Sequence, residues 1–483
     1  MSRLVLGPFN RVEGDLEVQL TVNAERVTDA WVVSPLYRGF EEILRGKDPM
    51  DALVYAPRIC GICSVSQSVA SARAIAMAQD LILPSNGELA GNLILATENL
   101  ADHLTHFYLF FMPDFARAVY RKEAWFTAAE RRFKSASGSA TAEILPKRAE
   151  LLHIMGLLAG KWPHSLALQP GGTTRAVETQ ERNRILAILF SFRRFLEKTV
   201  FGDQLEAVIA LDSATALDDW ALASPPEGSD FRHFLCIAEA LQLQRLGRST
   251  DRFLSYGAYP THSGPFFRSG VWDKGISRRL DPVAISEDVS HAWMQPQNQA
   301  LHPYDGLTLP AANQPEGYTW CKAPRLAGEV VEVGALARQL NDAHPLIQDL
   351  VLRDGGNVRN RVIARLLELA RVTVAMEQWT RDLKPREPFC VSSPLPEEGE
   401  GYGLIEAARG SLGHWLRFRK GRIANYQIIA PTTWNFSPRD QIGTPGTLEQ
   451  ALRGAPIRTG ETDPVSVQHI VRSFDPCMVC TVH

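Results

Sequence analysis

The chain opens with two runs in which apolar and polar residues alternate. They lie on either side of Asn23 and Ala24 in LEVQLTVNAERVTDAWVV. A period of two is typical of strands with one buried face, and the interruption is typical of a tight turn. The pattern therefore predicts a β-hairpin within a β-rich N-terminal segment, residues 1–55.

Helical spacing of apolar residues prevails over residues 56–221. The segment SVSQSVASARAIAMAQDL, which follows Cys63, has helical composition and stops before Pro84. Helical patterns continue over residues 88–111, 149–158 and about 178–205. We interpret this region as a helical core in which the first cysteine pair occupies a loop that enters a helix.

The periodic signal weakens over residues 222–332, which are rich in Gly, Pro and short aromatic runs, and we interpret them as a mixed lobe of strands and loops. Helical patterns return over about 333–383, and EEGEGYG marks a loop before the C-terminal segment of region 333–483. The predicted fold class is α+β and mainly helical. It has a central helix bundle, a small N-terminal sheet and a mixed peripheral lobe.

Composition narrows the range of functions. The chain has 483 residues, of which 45% are hydrophobic and 22% charged, as in ordinary globular proteins of two or three packed regions. A net charge of −3 offers no basic surface for phosphates, which argues against nucleic-acid binding. No secretory signal or apolar run of about 18 residues occurs, so we predict a cytoplasmic protein without direct membrane insertion, unless a partner exports it.

Four of the seven cysteines form two Cys-x-x-Cys pairs, Cys60 with Cys63 and Cys477 with Cys480. Each pair can bind one metal, and the spacing alone leaves a structural zinc site open. The 414 positions between Cys63 and Cys477 favour a metal at the centre of a folded protein over a zinc ribbon. A thioredoxin-like redox pair is disfavoured because neither pair lies in a βαβ pattern.

The flanks of the pairs carry a family resemblance. RICGIC at 58–63 and DPCMVCTVH at 475–483 resemble the two signature ends of nickel-iron hydrogenase large subunits. Further resembling blocks follow in the family's order: NRVEG (10–14), RGFE (38–41), DHL with a second histidine (102–106), EAARG (406–410) and PTTWN (431–435). The resemblance covers nearly the whole chain and displaces the zinc interpretation.

The resemblance implies a nickel-iron centre whose iron carries cyanide and carbon monoxide. Cys60 and Cys477 would be terminal ligands of nickel, and Cys63 and Cys480 would bridge to iron. Heterolytic splitting of dihydrogen requires a Lewis-acidic metal and a base that takes the proton. The resemblance assigns the base to the Cys477 thiolate or to the guanidine of Arg409, although an arginine is normally always charged.

The resemblance also implies a set of carboxylates around the metal. Asp102 and Asp475 would fix Arg409 over the open coordination site. Glu13 would carry the proton away from the terminal cysteine. An isolated glutamate after a turn would more often be a solvated carboxylate, and its place in Arg-Val-Glu-Gly is what favours the functional role.

Two further groups of residues follow from the resemblance. Pro431 and Thr433 would form the cradle that hydrogen-bonds a cyanide nitrogen. Glu41 and His483, with the carbonyl of Ile428, would bind a second metal, usually magnesium, beneath the active site. A terminal histidine is otherwise usually a frayed end.

Four positions depart from the usual family pattern. Gln67 replaces a histidine four residues after the first pair, Ala408 replaces a proline, and Ile62 and Phe110 replace smaller Val and Leu in the family's gas channel. Glutamine at the end of SVSQ resembles the hydrogen-sensing regulatory branch. Its amide can donate a hydrogen bond towards a bridging sulfur, as the usual histidine does, without titrating. We therefore predict a slow, oxygen-tolerant hydrogen sensor that controls hydrogenase gene expression. The alternative is an uptake hydrogenase that supplies electrons to a respiratory chain.

Electrons released from dihydrogen must be transferred to an acceptor outside the metal centre. The remaining cysteines, Cys236, Cys321 and Cys390, form no iron-sulfur spacing. We therefore expect iron-sulfur clusters in a partner small subunit and, for a sensor, a histidine kinase as a further partner. Related quinone-site subunits lose the cysteine ligands, so the retained four argue against that function.

Overall fold

Helices account for 45% of the computed structural model, which describes residues 2–458 and 460–483. They are α1 (Phe40–Leu44), α2 (Ala52–Tyr55), α3 (Ser64–Ala78), α4 (Ser85–Thr105), α5 (Phe126–Phe133), α6 (Ser139–Ala159), α7 (Thr179–Phe195), α8 (Leu205–Ile209), α9 (Ala214–Leu222), α10 (Asp230–Ala240), α11 (Ala335–Asn341), α12 (Pro345–Asp354), α13 (Val358–Asp382), α14 (Pro431–Asn435), α15 (Thr447–Leu452), α16 (Val465–Ser473) and α17 (Met478–Thr481). Wider π-type turns extend α4 through His106–Phe111 and α7 through Leu196–Phe201. No described helix is both long and apolar enough to cross a membrane.

The strands form small antiparallel sheets. They are β1 (Ser2–Leu6), β2 (Glu17–Asn23), β3 (Arg26–Val33), β4 (Leu168–Gln169), β5 (Gly172–Thr173), β6 (Arg252–Ser255), β7 (Ala258–Thr261), β8 (Gly264–Phe267), β9 (Gly270–Asp273), β10 (Ile276–Arg278), β11 (Ile285–Asp288), β12 (Ala323–Leu326), β13 (Gly399–Ala407), β14 (Gly410–Arg419) and β15 (Arg422–Ile429). Three-stranded sheets have the orders β1-β2-β3, β10-β9-β6 and β13-β14-β15. The predicted α+β, mainly helical class is confirmed.

The N-terminal hairpin is present as predicted. β2 pairs with β3 from Glu17 opposite Val33 to Asn23 opposite Arg26. Val18 is fully buried, whereas its neighbours along the strand keep partial exposure, as the alternating pattern requires. β1 adds a third strand to this sheet.

The loop predicted at EEGEGYG is wrong, because most of this segment belongs to strand β13. Its glycines serve close packing rather than a turn. A Cβ at Gly401 would lie 2.2 Å from the carbonyl oxygen of Ala74, and one at Gly403 would lie 1.9 Å from that of Ala70. Only glycine lets the sheet approach α3 so closely, so the missed sheet lies directly against the helix that follows the first cysteine pair.

The lobe predicted as strands and loops over 222–332 contains β6 to β12 but also helix α10. The Ser229 hydroxyl caps α10 by accepting from the N–H of Arg232, and Phe234 and Ile237 are fully buried. Short length and charged flanks concealed this helical period from the sequence pattern. The helices predicted over 333–383 are confirmed as α11 to α13.

Helices α4 and α13 run through the middle of the main hydrophobic core. Their contact carries buried charges as well as apolar side chains. Glu368 of α13 accepts two hydrogen bonds from Arg338 at 2.9 Å each and lies 3.2 Å from His103 of α4. A buried ion pair keeps its partners only where the geometry is fixed, so this network holds the helices in one register beneath the site.

Candidate metal centre

The four paired cysteines meet in the interior of the protein. Their sulfur atoms all lie within 4.8 Å of one another. Sγ–Sγ distances are 3.5 Å for Cys60 and Cys477 and 3.0 Å for Cys63 and Cys480. These are too long for a disulfide of ~2.05 Å, and all four are buried free thiols. The fold thus joins the two ends of the chain into one cluster of soft ligands.

The thiols of this cluster cannot all lose their protons without a compensating cation. Contact with Cys477 holds the pKa of the Cys60 thiol well below its usual range, whereas contact with Cys477 raises the pKa of the Cys63 thiol well above it. One thiolate therefore forms at the expense of its neighbours. A metal removes this conflict because it binds deprotonated sulfur, and four thiolates fit nickel and iron.

Glu98 of α4 anchors the first cysteine pair. Helix α3 begins directly after Cys63, so its first N–H groups have no partner within the helix. The buried Glu98 carboxylate accepts hydrogen bonds from the N–H groups of Val65 and Ser66 and from the indole N–H of Trp162, each at 2.9 Å. Glu98 belongs to no recognisable motif, so only the packing of α4 against α3 reveals it.

The second cysteine pair is held by segments far away in the sequence. The N–H of Met478 donates to the carbonyl of Glu13 at 2.7 Å, beside a parallel bridge between Glu13 and Cys477. The N–H of Cys477 donates to the hydroxyl of Thr432 at 3.1 Å. The N-terminal segment and α14 thus fix the position of the second pair.

The predicted cradle residues lie on α14, whose first residue is Pro431. The Thr433 hydroxyl donates to the carbonyl of Thr481 at 3.2 Å. Thr432, which the family resemblance did not single out, is the residue whose hydroxyl contacts the backbone of a metal-binding cysteine. Both threonines therefore tie α14 to the C-terminal segment.

Arg409 lies between the two carboxylates named with it. Its Nη1 atom is 2.7 Å from Oδ2 of Asp102, and its Nη2 atom is 3.2 Å from Oδ1 of Asp475. Its Nε–H also donates to the backbone carbonyl of Asp475 at 2.9 Å. The carbonyl of Ala408 accepts from Arg338 at 3.0 Å, so a second buried arginine holds the turn that carries Arg409.

The charges in this group are unevenly distributed. Burial raises the pKa of the Asp102 carboxyl to about 7 against the opposing effect of Arg409. Burial is also the largest single effect on Asp475, but Arg409, His106 and Arg365 together outweigh it and lower the pKa of that carboxyl. The two carboxylates outweigh burial at Arg409 and raise the pKa of the guanidinium well above its usual range. Arg409 is therefore a fixed cation, and Asp102 is the carboxyl more ready to hold a proton.

Glu13 is half-buried where the N-terminal segment meets Cys477. Burial, and then the negative charge of the Cys60 thiolate, raise the pKa of the Glu13 carboxyl, while Arg409 and Arg38 oppose the shift. A carboxyl with a raised pKa accepts a proton closer to neutral pH. Glu13 thus has both a position near the cysteines and an electrostatic setting suited to proton transfer.

Gln67 is buried one turn beyond Cys63 on α3. Its Oε1 atom lies 2.7 Å from Nε2 of His414, and Nδ1 of that histidine lies 2.8 Å from the Tyr426 hydroxyl. Burial lowers the pKa of the His414 imidazole to about 3, so the ring is neutral. Both partners belong to the sheet β13-β14-β15, which the sequence pattern did not predict: His414 lies on β14 and Tyr426 on β15.

The residues predicted to bind magnesium form a separate group. Nε2 of His483 lies 3.1 Å from Oε1 of Glu41, close to the ~3 Å between neighbouring ligands of an octahedral Mg²⁺ with bonds of about 2.1 Å. At Ile428 the N–H donates to Glu41 at 2.8 Å, and this contact does not involve the carbonyl expected as a ligand. The carboxylate, the imidazole and Ile428 thus come together beneath the cysteines.

A buried lysine also belongs to this group. Nζ of Lys322 lies 2.9 Å from Glu41 and 3.3 Å from Glu287, and it donates to Oε1 of Gln427 at 2.8 Å. Burial disfavours the Glu41 carboxylate, yet Lys322 and His483 outweigh it and lower the pKa of Glu41. Two glutamates against one lysine leave excess negative charge, which fits a divalent cation.

The remaining predicted residues lie at the margins of the site. Ile62 is half-buried in the first cysteine loop, and its N–H donates to Sγ of Cys60 at 3.3 Å. Phe110 is half-buried in the π-type turn after α4. His103 and His106 are buried in contact with Glu368 and with the backbone of Arg472, which gives both a structural use.

Fold and site together define a metalloenzyme with its metal held between the chain ends. The chain belongs to the nickel-dependent hydrogenase family, whose profile matches residues 38–143 and 141–483. It is a hydrogenase large subunit, an oxidoreductase that oxidises dihydrogen. The family implies a nickel-iron centre, and the four-cysteine cluster is where the described residues can hold it.

Relatives cover the chain from end to end. It is 29% identical to the large subunit of a periplasmic [NiFeSe] hydrogenase of Desulfomicrobium baculatum, covering 100% of this chain and 95% of the relative. It is 27% identical to the hydrogenase-2 large chain of Escherichia coli K12, with 100% and 97% coverage. A solved Ni-Fe-Se hydrogenase from D. vulgaris Hildenborough has a TM-score of 0.84 at 28% identity, with both chains fully covered.

Proposed function

We propose that this chain is the large subunit of a slow, oxygen-tolerant hydrogenase that senses dihydrogen and controls hydrogenase gene expression. The observation that carries the proposal is Gln67, a buried amide one turn from Cys63 where the family pattern has a histidine. An amide cannot be protonated at physiological pH. The hydrogen bonding next to the metal is therefore insensitive to proton release, which suits signalling better than rapid turnover.

The residues around the cysteines have separate tasks in this proposal. Cys60, Cys63, Cys477 and Cys480 would hold nickel and iron, and the iron would carry cyanide and carbon monoxide. When bound, this centre supplies the Lewis acidity and redox capacity for splitting dihydrogen. Arg409 stays charged between its two aspartates and would place this positive charge close to the metal-binding cysteines.

Proton movement would start at the Cys477 thiolate and pass to Glu13. Support comes from the bridge between the Glu13 and Cys477 backbones and from the raised pKa of the Glu13 carboxyl. Cys477, and not Arg409, is then the base, because the carboxylates keep the guanidinium protonated. Glu13 is half-exposed and can release the proton outwards.

The second group would hold magnesium through Glu41 and His483. Its position would account for the burial of His483. Ile428 would contribute its carbonyl, while its N–H keeps Glu41 in place. This cation would lock the C-terminal residue, and with it Cys480, into the core.

Oxygen tolerance would come from bulk near the metal. The backbone contact of Ile62 with Cys60 supports a position on the way to the site. Phe110 occupies the turn beyond Asp102, on the same continuous helical segment. Larger side chains at both places restrict access for oxygen more than for dihydrogen.

Partners follow from the flow of electrons. The relatives are called large subunits or large chains, which supports a small subunit that carries iron-sulfur clusters. A sensor would also contact a histidine kinase, and we place the complex in the cytoplasm with that kinase. The uptake alternative is favoured by a different observation, a 26% identical relative named as the uptake hydrogenase large subunit of Rhizobium leguminosarum.

One comparison separates the sensor from the uptake enzyme. Hydrogen oxidation by the purified complex is measured before and after air exposure, for the natural chain and for a Gln67→His, Ile62→Val, Phe110→Leu variant. A sensor turns over slowly and survives air, and the variant is inactivated by it. Fast turnover that air abolishes in the natural complex contradicts the sensor and supports the uptake enzyme.

A cellular measurement tests the signalling role directly. In cells that contain the natural chain, transcription of hydrogenase genes is expected to rise with dihydrogen. A Cys477→Ser variant should abolish this response. An identical response in both strains contradicts the sensing role.

A further inference from the structure

Three fully buried side chains form a line of hydrogen bonds that ends beside the metal-binding cysteines. Tyr426 on β15 contacts His414 on β14, and His414 contacts Gln67 on α3, with distances of 2.8 and 2.7 Å. None of the three is more than 1% exposed. Water therefore does not compete for these groups, and each hydrogen must find its acceptor among them.

The chemistry of the groups fixes the direction of the line. Oε1 of Gln67 can only accept, so Nε2 of His414 carries a hydrogen and donates it. The other ring nitrogen of the neutral imidazole, Nδ1, is then an acceptor and receives the hydrogen of the Tyr426 hydroxyl. In the reverse direction Nδ1 would donate to Tyr426, and the hydroxyl hydrogen would be buried with no other acceptor among the described residues.

We propose that His414 is a positioning residue that turns the Gln67 amide so that its N–H groups face the sulfur of Cys63. Gln67 lies four residues after Cys63, and its backbone N–H donates to the carbonyl of Cys63 at 3.2 Å. Residues at this spacing share one face of a helix. With Oε1 held by His414, the amide N–H₂ has no hydrogen-bond partner among the described residues and is free to donate to the thiolate.

This arrangement gives the departure at position 67 a structural reason. A neutral histidine at that position could also accept from Nε2 of His414 with one ring nitrogen and donate with the other, but it would lose its acceptor when it took up a proton. The glutamine accepts from His414 with one end and donates with the other. The proposal rests on the role of Cys63 in holding the metal and not on hydrogen sensing.

The test is the infrared spectrum of the purified, nickel-loaded complex. His414→Phe removes the donor, so the amide takes two orientations, and the carbon monoxide and cyanide stretches should shift and broaden. Tyr426→Phe removes the hydroxyl that fixes the tautomer of His414, and it should give a smaller shift of the stretches with the same sign. His414→Gln restores a donor and should return the stretches towards their natural positions.

A matched control comes from another buried tyrosine–histidine pair. Tyr120 lies 2.6 Å from Nε2 of His469, and neither residue contacts Gln67. Tyr120→Phe should leave the carbon monoxide and cyanide stretches unchanged. In a separate kinetic measurement, His414→Phe should lower turnover roughly tenfold without a change in KM for dihydrogen.

Each possible result either supports or overturns the role of His414. Unchanged stretches in loaded His414→Phe overturn the proposal, and so does an equal shift in Tyr120→Phe. If His414→Phe takes up no nickel, Tyr426→Phe decides: a shift supports the proposal and an unchanged spectrum overturns it. A fast, air-sensitive enzyme with the expected shifts would contradict the sensor and leave the role of His414 intact.

Discussion

The two cysteine pairs are held by different kinds of structure. The first pair leads into α3, a 15-residue helix whose free N–H groups are bound by Glu98. The second pair leads into α17, a helix of only four residues close to the end of the chain. Its backbone bonds go to Glu13 and Thr432, which lie 464 and 45 residues away from the cysteine segment.

This difference indicates how the site is assembled. The anchor of the first pair, Glu98 on α4, lies close to that pair in the sequence, so its contact with α3 can form when two neighbouring helices pack. The second pair depends on contacts that exist only once the whole chain has folded. Arg409 joins the two halves, because Asp102 belongs to α4 and Asp475 lies two residues before Cys477.

Removal of one metal-binding thiolate from either half of the site is expected to have the largest effect on metal binding and activity. Cys63→Ser and Cys477→Ser should each abolish nickel binding and hydrogen oxidation, because both pairs are needed to complete the ligand set. Metal analysis and turnover of the purified complex measure this. Cys390→Ser, at an exposed cysteine away from the cluster, is the control, and nickel retained in full by either site variant contradicts a shared centre.

Loss of the link between the halves should have the next largest effect. Arg409→Lys keeps the charge but cannot reach both aspartates at once. We expect hydrogen oxidation to fall by about 100-fold with nickel retained. Arg417→Lys, at a partly exposed arginine, controls for the chemical change. Activity within twofold of the natural complex would show that Arg409 is not needed over the site.

Removal of the anchors compares the two halves directly. Glu98→Ala leaves the N–H groups of Val65 and Ser66 without acceptors and should cost about 2 kcal/mol of unfolding free energy. Thr432→Val removes one bond to Cys477 and should cost about 1 kcal/mol. Hydrogen exchange locates the effects: the first variant should expose amides 65 and 66, and the second that of Cys477. The same exchange pattern in both variants would refute separate anchoring.

The smallest expected effect concerns a carboxylate that ties β3 to the C-terminal region. Glu449 accepts from the N–H of Val32 at 3.1 Å and from the Tyr318 hydroxyl at 2.7 Å. Burial raises the pKa of this carboxyl to about 7. Between pH 4.5 and about 7 the unfolded chain ionises before the folded one, so the contribution of Glu449 to stability falls as pH rises.

Urea unfolding at pH 5 and pH 7 measures this contribution. The natural complex should lose on the order of 1 kcal/mol more than Glu449→Gln over this interval. Equal pH dependence in both proteins would show that Glu449 does not titrate there. The first pair should be unaffected, with unchanged hydrogen exchange at Val65.

The family, the mainly helical class and the residues of the metal cluster could be predicted from the amino-acid sequence alone. Short-range patterns suffice for these: the alternation around Asn23 specifies a hairpin, and the flanks of the cysteines specify their kind of site. The glycines of EEGEGYG were misleading because glycine is as typical of turns as of close packing. The reason for Gly401 and Gly403 lies in α3, more than 300 residues earlier.

The surroundings of those ligands depend on packing and could not be predicted in this way. Glu98, His414 and Lys322 carry no motif, and each matters through a partner that is remote in sequence. Their pKa values and hydrogen-bond directions depend on burial and on neighbours brought together by packing. A sequence fixes which groups are available, whereas the distance between them, and so the chemistry they share, is set by the folded core.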